Sequence, residues 1–239
     1  MSLAELSEER TFWENFLKNL REDYYMPRIR MEIVIGEMLS AGILEDIVRK
    51  ELKKYDIKYI TKEFPIRYIW GKDKNIDKNK HDYYRIFSVD YLMGNQKNLY
   101  FVELKTNTNS VNIDQKRRYL NAIKNIKERK LDLYRDYEDI VAHSKDGKYE
   151  HRYRKQKEQI ERDSGESYFK SCNNIELIYI TRKDILKVSS LEKEGDDTDN
   201  NSDIINITFS NLFKNINKFE KDTQIFLKIC QEIFSDNKS

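Results

Sequence analysis

The chain has 239 residues, of which 38% are hydrophobic and 36% charged, and its formal net charge is +2. That length suffices for one sizeable core, and the near-neutral balance excludes a protein that meets nucleic acid through a globally basic field, leaving only local patches to do so. Two distant cysteines, Cys172 and Cys230, exclude a disulfide framework; with no apolar run approaching ~18 residues and no signal-peptide pattern, a cytoplasmic location and no membrane partner are expected.

In chain order, Glu5 to Tyr25 repeats Phe12, Trp13, Phe16, Leu17 and Leu20 at helical spacing, which predicts an N-terminal helix within residues 1–27. Tyr24 to Pro27 breaks it. A second helix is predicted over Arg28 to Lys54. Ile57 to Ile60 and Phe64 to Trp70 read as strand material, and Asp73 to His81 as a polar, lysine-rich loop. Ile86 to Met93 and Leu99 to Leu104 are apolar runs rich in aromatic and branched residues, joined by the polar turn Gly94 to Asn98; together they predict a buried hairpin. One long helix is expected from Ile113 to Val141, followed by a break near Ser144 to Gly147. Lys148 to Asp163 is very polar, with Tyr149, Tyr153 and Ile160 as anchors. Ile175 to Ile180 predicts a further strand. Ser189 to Asp203 is acidic and reads as a loop, and a final helix is expected from Ser210 to Phe234, within a C-terminal helical region 204–239. No internal repeat and no Gly/Pro linker divides the chain, so residues 1–239 are expected to form one domain with a core over about 28–185.

The predicted hairpin carries the chemistry. Asp90 lies on its first strand, and Glu103 and Lys105 on its second. Side chains alternate along a strand, so Glu103 and Lys105 share a face with Phe101, and Asp90 shares one with Ser88 and Leu92. Charges inside buried strands are costly unless paired or metal-bound. A divalent cation would offset the repulsion between two carboxylates. Mg²⁺ takes oxygen ligands and keeps several waters, so Asp90, Glu103 and the Leu104 carbonyl would suffice. Lys105 would orient the attacking water and screen developing charge. The plain alternative is a cross-strand ion pair.

Glu37 sits in the middle of an apolar helical face formed by Ile33, Val34, Ala41 and Leu44. A glutamate aimed at a core needs a partner, which a metal or a lysine beside one would supply; the alternative is an edge residue that reaches solvent. Gln115 and Tyr119 are one helical turn apart and point the same way. They offer an amide and a hydroxyl to a phosphate or water, or are an ordinary surface glutamine and core tyrosine.

Together these residues resemble the PD-(D/E)XK nuclease superfamily, in its RecB-like branch. That pattern is a helical Glu, an Asp on the second core strand, E-x-K on the third and Q-x-x-x-Y on the next helix. Glu37, Asp90, Glu103 with Lys105, and Gln115 with Tyr119 match it, over about residues 31–125. Val89 stands where the superfamily has its nominal proline. The resemblance implies an α/β fold: a restriction-endonuclease-like αβββαβ core, its mixed sheet of about two to four strands flanked by helices, with the N- and C-terminal helices as additions. It also implies Mg²⁺-dependent cleavage of a phosphodiester, usually in DNA, with Mn²⁺ as a substitute and a 5′-phosphate product. Asp90, Glu103 and Glu37 would be metal ligands, with Lys105, Glu37, Gln115 and Tyr119 as the catalytic set. The four-cysteine iron–sulfur cluster of many RecB relatives cannot be built from two cysteines.

The segment Lys145 to Arg162 interleaves basic residues with tyrosines, which could neutralise phosphates and stack on unpaired bases; the alternative is a solvated helix laced with Glu/Lys pairs. His81, His143 and His151 lack zinc-ligand spacing, and the seven glycines form no phosphate-binding loop. A metal-dependent deoxyribonuclease is therefore expected. The alternatives are a non-catalytic nucleic-acid-binding or assembly module that retains the fold, and RNA in place of DNA. Oligomeric state is left open, a dimer included.

Overall fold

In a computed structural model, residues 35–36, 39, 42–69, 84–106, 113–129, 131–144, 150–162, 166–171, 174–182 and 204–235 are described. Glu37, the predicted helix 1–27 and the predicted loops 73–81 and 189–203 lie outside them.

The chain folds as α/β, with a five-stranded mixed sheet flanked by helices. The strands are β1 (Lys58–Ile69), β2 (Tyr84–Gly94), β3 (Asn98–Lys105), β4 (Asn174–Thr181) and β5 (Ile204–Thr208), in that spatial order. The first three form an antiparallel meander. β4 then pairs parallel with β3, and β5 parallel with β4. Parallel neighbours need a long crossover. Between β3 and β4 it is built from α2 (Ile113–Lys127), α3 (Leu133–His143), α4 (Glu150–Arg162) and the short α5 (Glu166–Ser171). α1 (Ile43–Leu52) precedes the sheet, and α6 (Phe209–Lys214), a 3₁₀ turn and α7 (Lys221–Ser235) follow it.

Each sheet face buries its own apolar cluster. One joins Tyr91, Tyr100, Val102, Leu104 and Ile178 to α1, α6 and α7, with Ile35 and Leu39. The other joins Phe64, Leu92, Phe101 and Leu177 to Tyr119, Ala122 and Ile123 of α2 and to Tyr137 and Ile160. β3 is buried along nearly its whole length because it lies mid-sheet between the two. Tyr91 donates to the Gly36 carbonyl at 2.5 Å. A Cβ at Gly36 would lie 3.0 Å from that hydroxyl, so a larger residue there would push the Tyr91 side chain aside by a few tenths of an ångström.

Several expected boundaries differ. The two expected strand pieces are one continuous strand, β1, which takes in Thr61 to Glu63 and tolerates Pro65 because it lies at the sheet edge. The expected helix Ile113 to Val141 is two helices. Arg129 turns left-handed (φ 56), its N–H bonding the Ile126 carbonyl, and the Leu131 N–H reaches the Asn125 carbonyl. Asp132 then caps α3 by accepting the Arg135 N–H at 3.0 Å. The 204–239 region opens with β5 rather than a helix, because an edge position on β4 is open to the run Ile204–Thr208. Thr208 ends that strand and caps α6 through the Asn211 N–H. The expected helix 210–234 then breaks at Phe219, whose extended backbone lets its ring enter the first cluster. Asp46 of α1 accepts the Glu220 N–H at 2.8 Å at the same break. The helix expected from Arg28 to Lys54 is interrupted at Gly42, whose φ of 84 precedes α1.

α4 settles part of the reading of Lys145 to Arg162. Tyr153 is buried, its carbonyl accepting the Tyr137 hydroxyl at 3.1 Å, so it is a core anchor and not a stacking platform. Arg152 pairs with Glu63 at 2.6 Å, and Lys157 with Glu138 and Glu161. Buried Gln156 donates to the backbone carbonyls of Lys62 and Glu63, and Gln159 to that of Ile60. These amides hold the helix against β1 where its ladder is irregular. Gln156→Ala is expected to destabilise the fold by about 1–3 kcal/mol through carbonyls left without a donor, read from the urea midpoint.

Among the described residues no helix is long and apolar enough to cross a membrane.

Candidate active site

The site lies where β2 and β3 part. Their register runs from Gly94↔Leu99 to Tyr91↔Val102. At the next step Asp90 replaces a ladder contact, its Oδ2 accepting the Leu104 N–H at 2.8 Å. On the other side of β2, the pairs Lys62↔Tyr91 and Phe64↔Val89 flank Glu63, whose backbone is left-handed with φ 50. Val89 and Leu92 both pack into the second cluster. The strict alternation expected through Asp90 is therefore interrupted, and the Asp90 carboxylate turns to the β3 backbone.

Glu103 is 1% exposed, and three donors converge on its carboxylate. Lys105 Nζ is 2.7 Å from Oε1. Gln115 donates to the same oxygen at 2.7 Å. The Tyr119 hydroxyl donates to Oε2 at 2.5 Å and itself accepts a second Gln115 N–H at 3.0 Å, which closes a ring. The Q-x-x-x-Y pair lies on the first turns of α2, and helical spacing aims both side chains at β3. The Phe87 ring packs edge-on against Tyr119 at 5.1 Å. Burial pushes the Tyr119 hydroxyl well above the usual phenol range, and the Glu103 charge raises it further, so it stays a donor.

Lys105, Glu103, Gln115 and Tyr119 thus form one hydrogen-bonded cluster, and Asp90 adjoins it through the residue next to Glu103. Glu37 lies outside the described residues. The reading of the sequence missed Tyr179. It is the β4 partner of Glu103, is 1% exposed, and has its hydroxyl pushed up by burial and then by the charges of Glu103 and Asp90. Only the parallel placement of β4 beside β3 brings it there; nothing in the local sequence marks it.

Among the described residues, no group of three or more His, Cys, Asp or Glu is placed to hold a metal. The donor chemistry still fits a hard cation that retains waters, since Asp90 and Glu103 supply carboxylate oxygens and Leu104 a carbonyl on adjoining strands. A carboxylate offers about four lone-pair directions. The three donors leave Glu103 one for a cation.

Tyr119→Phe removes one donor from a buried carboxylate. The expected cost is about 1.5–3 kcal/mol of stability, the range for a hydrogen bond to a charged group, read from the urea midpoint beside a Tyr55→Phe control at an exposed tyrosine.

Comparison with known proteins returns no match among family models, curated proteins or solved structures.

Proposed function

We propose that this protein is a metal-dependent nuclease that hydrolyses phosphodiester bonds, with DNA as substrate and a restriction-endonuclease-like core. One observation carries the reading: Asp90 and Glu103 sit on adjoining strands where these part, with the Lys105 ammonium against Glu103. Asp90, Glu103 and the Leu104 carbonyl would hold Mg²⁺ or Mn²⁺. When bound, such a cation supplies an acidified water and polarises a phosphoryl oxygen. Lys105 brings three donors on a compact charge; it orients the attacking oxygen and balances the negative charge that grows on the phosphoryl group. Gln115 and Tyr119 fix the rotamer of Glu103, so its free lone pair keeps one direction. The Asp90 carboxylate is oriented by the Leu104 N–H in the same way.

A second reading is supported by the crowding of Glu103. A carboxylate already engaged by three donors also suits a nucleic-acid-binding or assembly module that retains the fold without catalysis. The test is cleavage of single-stranded DNA, duplex DNA and RNA across a Mg²⁺ and Mn²⁺ titration. Cleavage that rises with metal and stops in excess EDTA is expected. Full activity in excess EDTA would overturn the metal-dependent reading. Binding to DNA without cleavage under any condition would favour the module, and cleavage of RNA alone would reassign the substrate.

A further inference from the structure

A cavity of about 570 Å³ opens on the same sheet face as the second apolar cluster, at the far end of β3 from Glu103. Its floor includes Leu99 and Ile175, the first buried residues of β3 and β4. Leu99 precedes Glu103 by four positions, which is about 13 Å along a strand, and none of the proposed nuclease residues lines the cavity. Tyr134 and Phe169 form one wall, their rings 5.4 Å apart. Lys127, Arg129 and Arg135 stand at the rim, all exposed. Among the described residues, the lining sets one anion against these three cations, Asp132, whose carboxylate already accepts the Arg135 N–H as the cap of α3.

We propose that this cavity is a second ligand site, for a mononucleotide. Its volume lies within the ordinary range of small-molecule pockets, which pair an apolar lining with a few placed polar groups. The aromatic wall and aliphatic floor take a planar base. The three rim cations take the phosphate, with the arginines suited to two-pronged contact. Asp132 offers an acceptor for a sugar hydroxyl. Arg129 occupies the left-handed position just past α2, at φ 56, where glycine is the unstrained residue.

The test is calorimetric titration of the full chain with the four 5′-mononucleotides, phosphate alone and adenosine alone. Saturable binding of at least one mononucleotide is expected below about 1 mM, tighter than phosphate or nucleoside alone. Arg129→Gly should weaken it at least about tenfold while leaving the melting temperature equal or higher, because glycine relieves the backbone strain. Arg135→Ala and Tyr134→Ala should also weaken it, and Lys105→Ala should leave it unchanged, which separates this site from the proposed nuclease centre. Absence of saturable binding by all four nucleotides would overturn the proposal. So would phosphate alone binding as tightly, wild-type binding by Arg129→Gly, or loss of binding in Lys105→Ala.

Discussion

Lys105→Ala is expected to lower metal-supported cleavage by about 10²-fold or more, the scale for removing one electrostatic stabiliser of the transition state. DNA affinity should stay near that of wild type, because the lysine acts on charge that grows during the reaction and not on ground-state binding. Single-turnover rates measured beside filter binding separate the two. The companion change is Asp90→Asn. It keeps an oxygen acceptor for the Leu104 N–H, which Asp90 now takes at 2.8 Å, so the parting of β2 and β3 should survive. Cleavage should stop, and DNA affinity should hold or rise as a carboxylate facing phosphate is removed. Equal cleavage by wild type and Lys105→Ala would reject the assignment of Glu103 and Lys105 even for a nuclease. DNA binding without cleavage, unaffected by either change, would select the binding module.

Phe64→Ala should produce the largest loss of stability, about 3–5 kcal/mol by denaturant titration, as for other large-to-small changes at buried aromatics. Phe64 has no exposed surface and stacks on Tyr137 at 4.9 Å and on Phe169 at 5.7 Å. It therefore joins edge strand β1 to α3 and α5, and neighbours locked by helix packing cannot readily close the space. A loss below about 1 kcal/mol would mean that the β1 edge does not share the cooperative core.

Much of the sheet was legible because its signal is local. Ile86 to Met93, Leu99 to Leu104 and Ile175 to Ile180 are apolar runs bounded by turn residues, and each lies within a strand. The one-turn spacing of Gln115 and Tyr119 was legible for the same reason, since a helix fixes which residues share a face. Ile204–Thr208 was not. Five residues beside an acidic segment carry little pattern, and they become a strand by pairing with β4. The break at Phe219 was also hidden, because it follows from the burial of that ring in a core built by distant segments.

For the candidate site the division is similar. The sequence by itself determined the residue types, an Asp and an E-x-K on consecutive strands and a Q-x-x-x-Y on the next helix, because strand and helix periodicity are properties of the backbone. It left open whether Glu103 and Lys105 form a surface pair or a buried centre. Tertiary structure decided that: burial between two helical layers brings Lys105, Gln115 and Tyr119 onto one carboxylate. It also decided the position of Asp90, whose carboxylate takes the Leu104 N–H where β2 parts from β3, and it brought Tyr179 alongside. Those are contacts between distant segments, fixed by strand order and packing, and no local pattern encodes them.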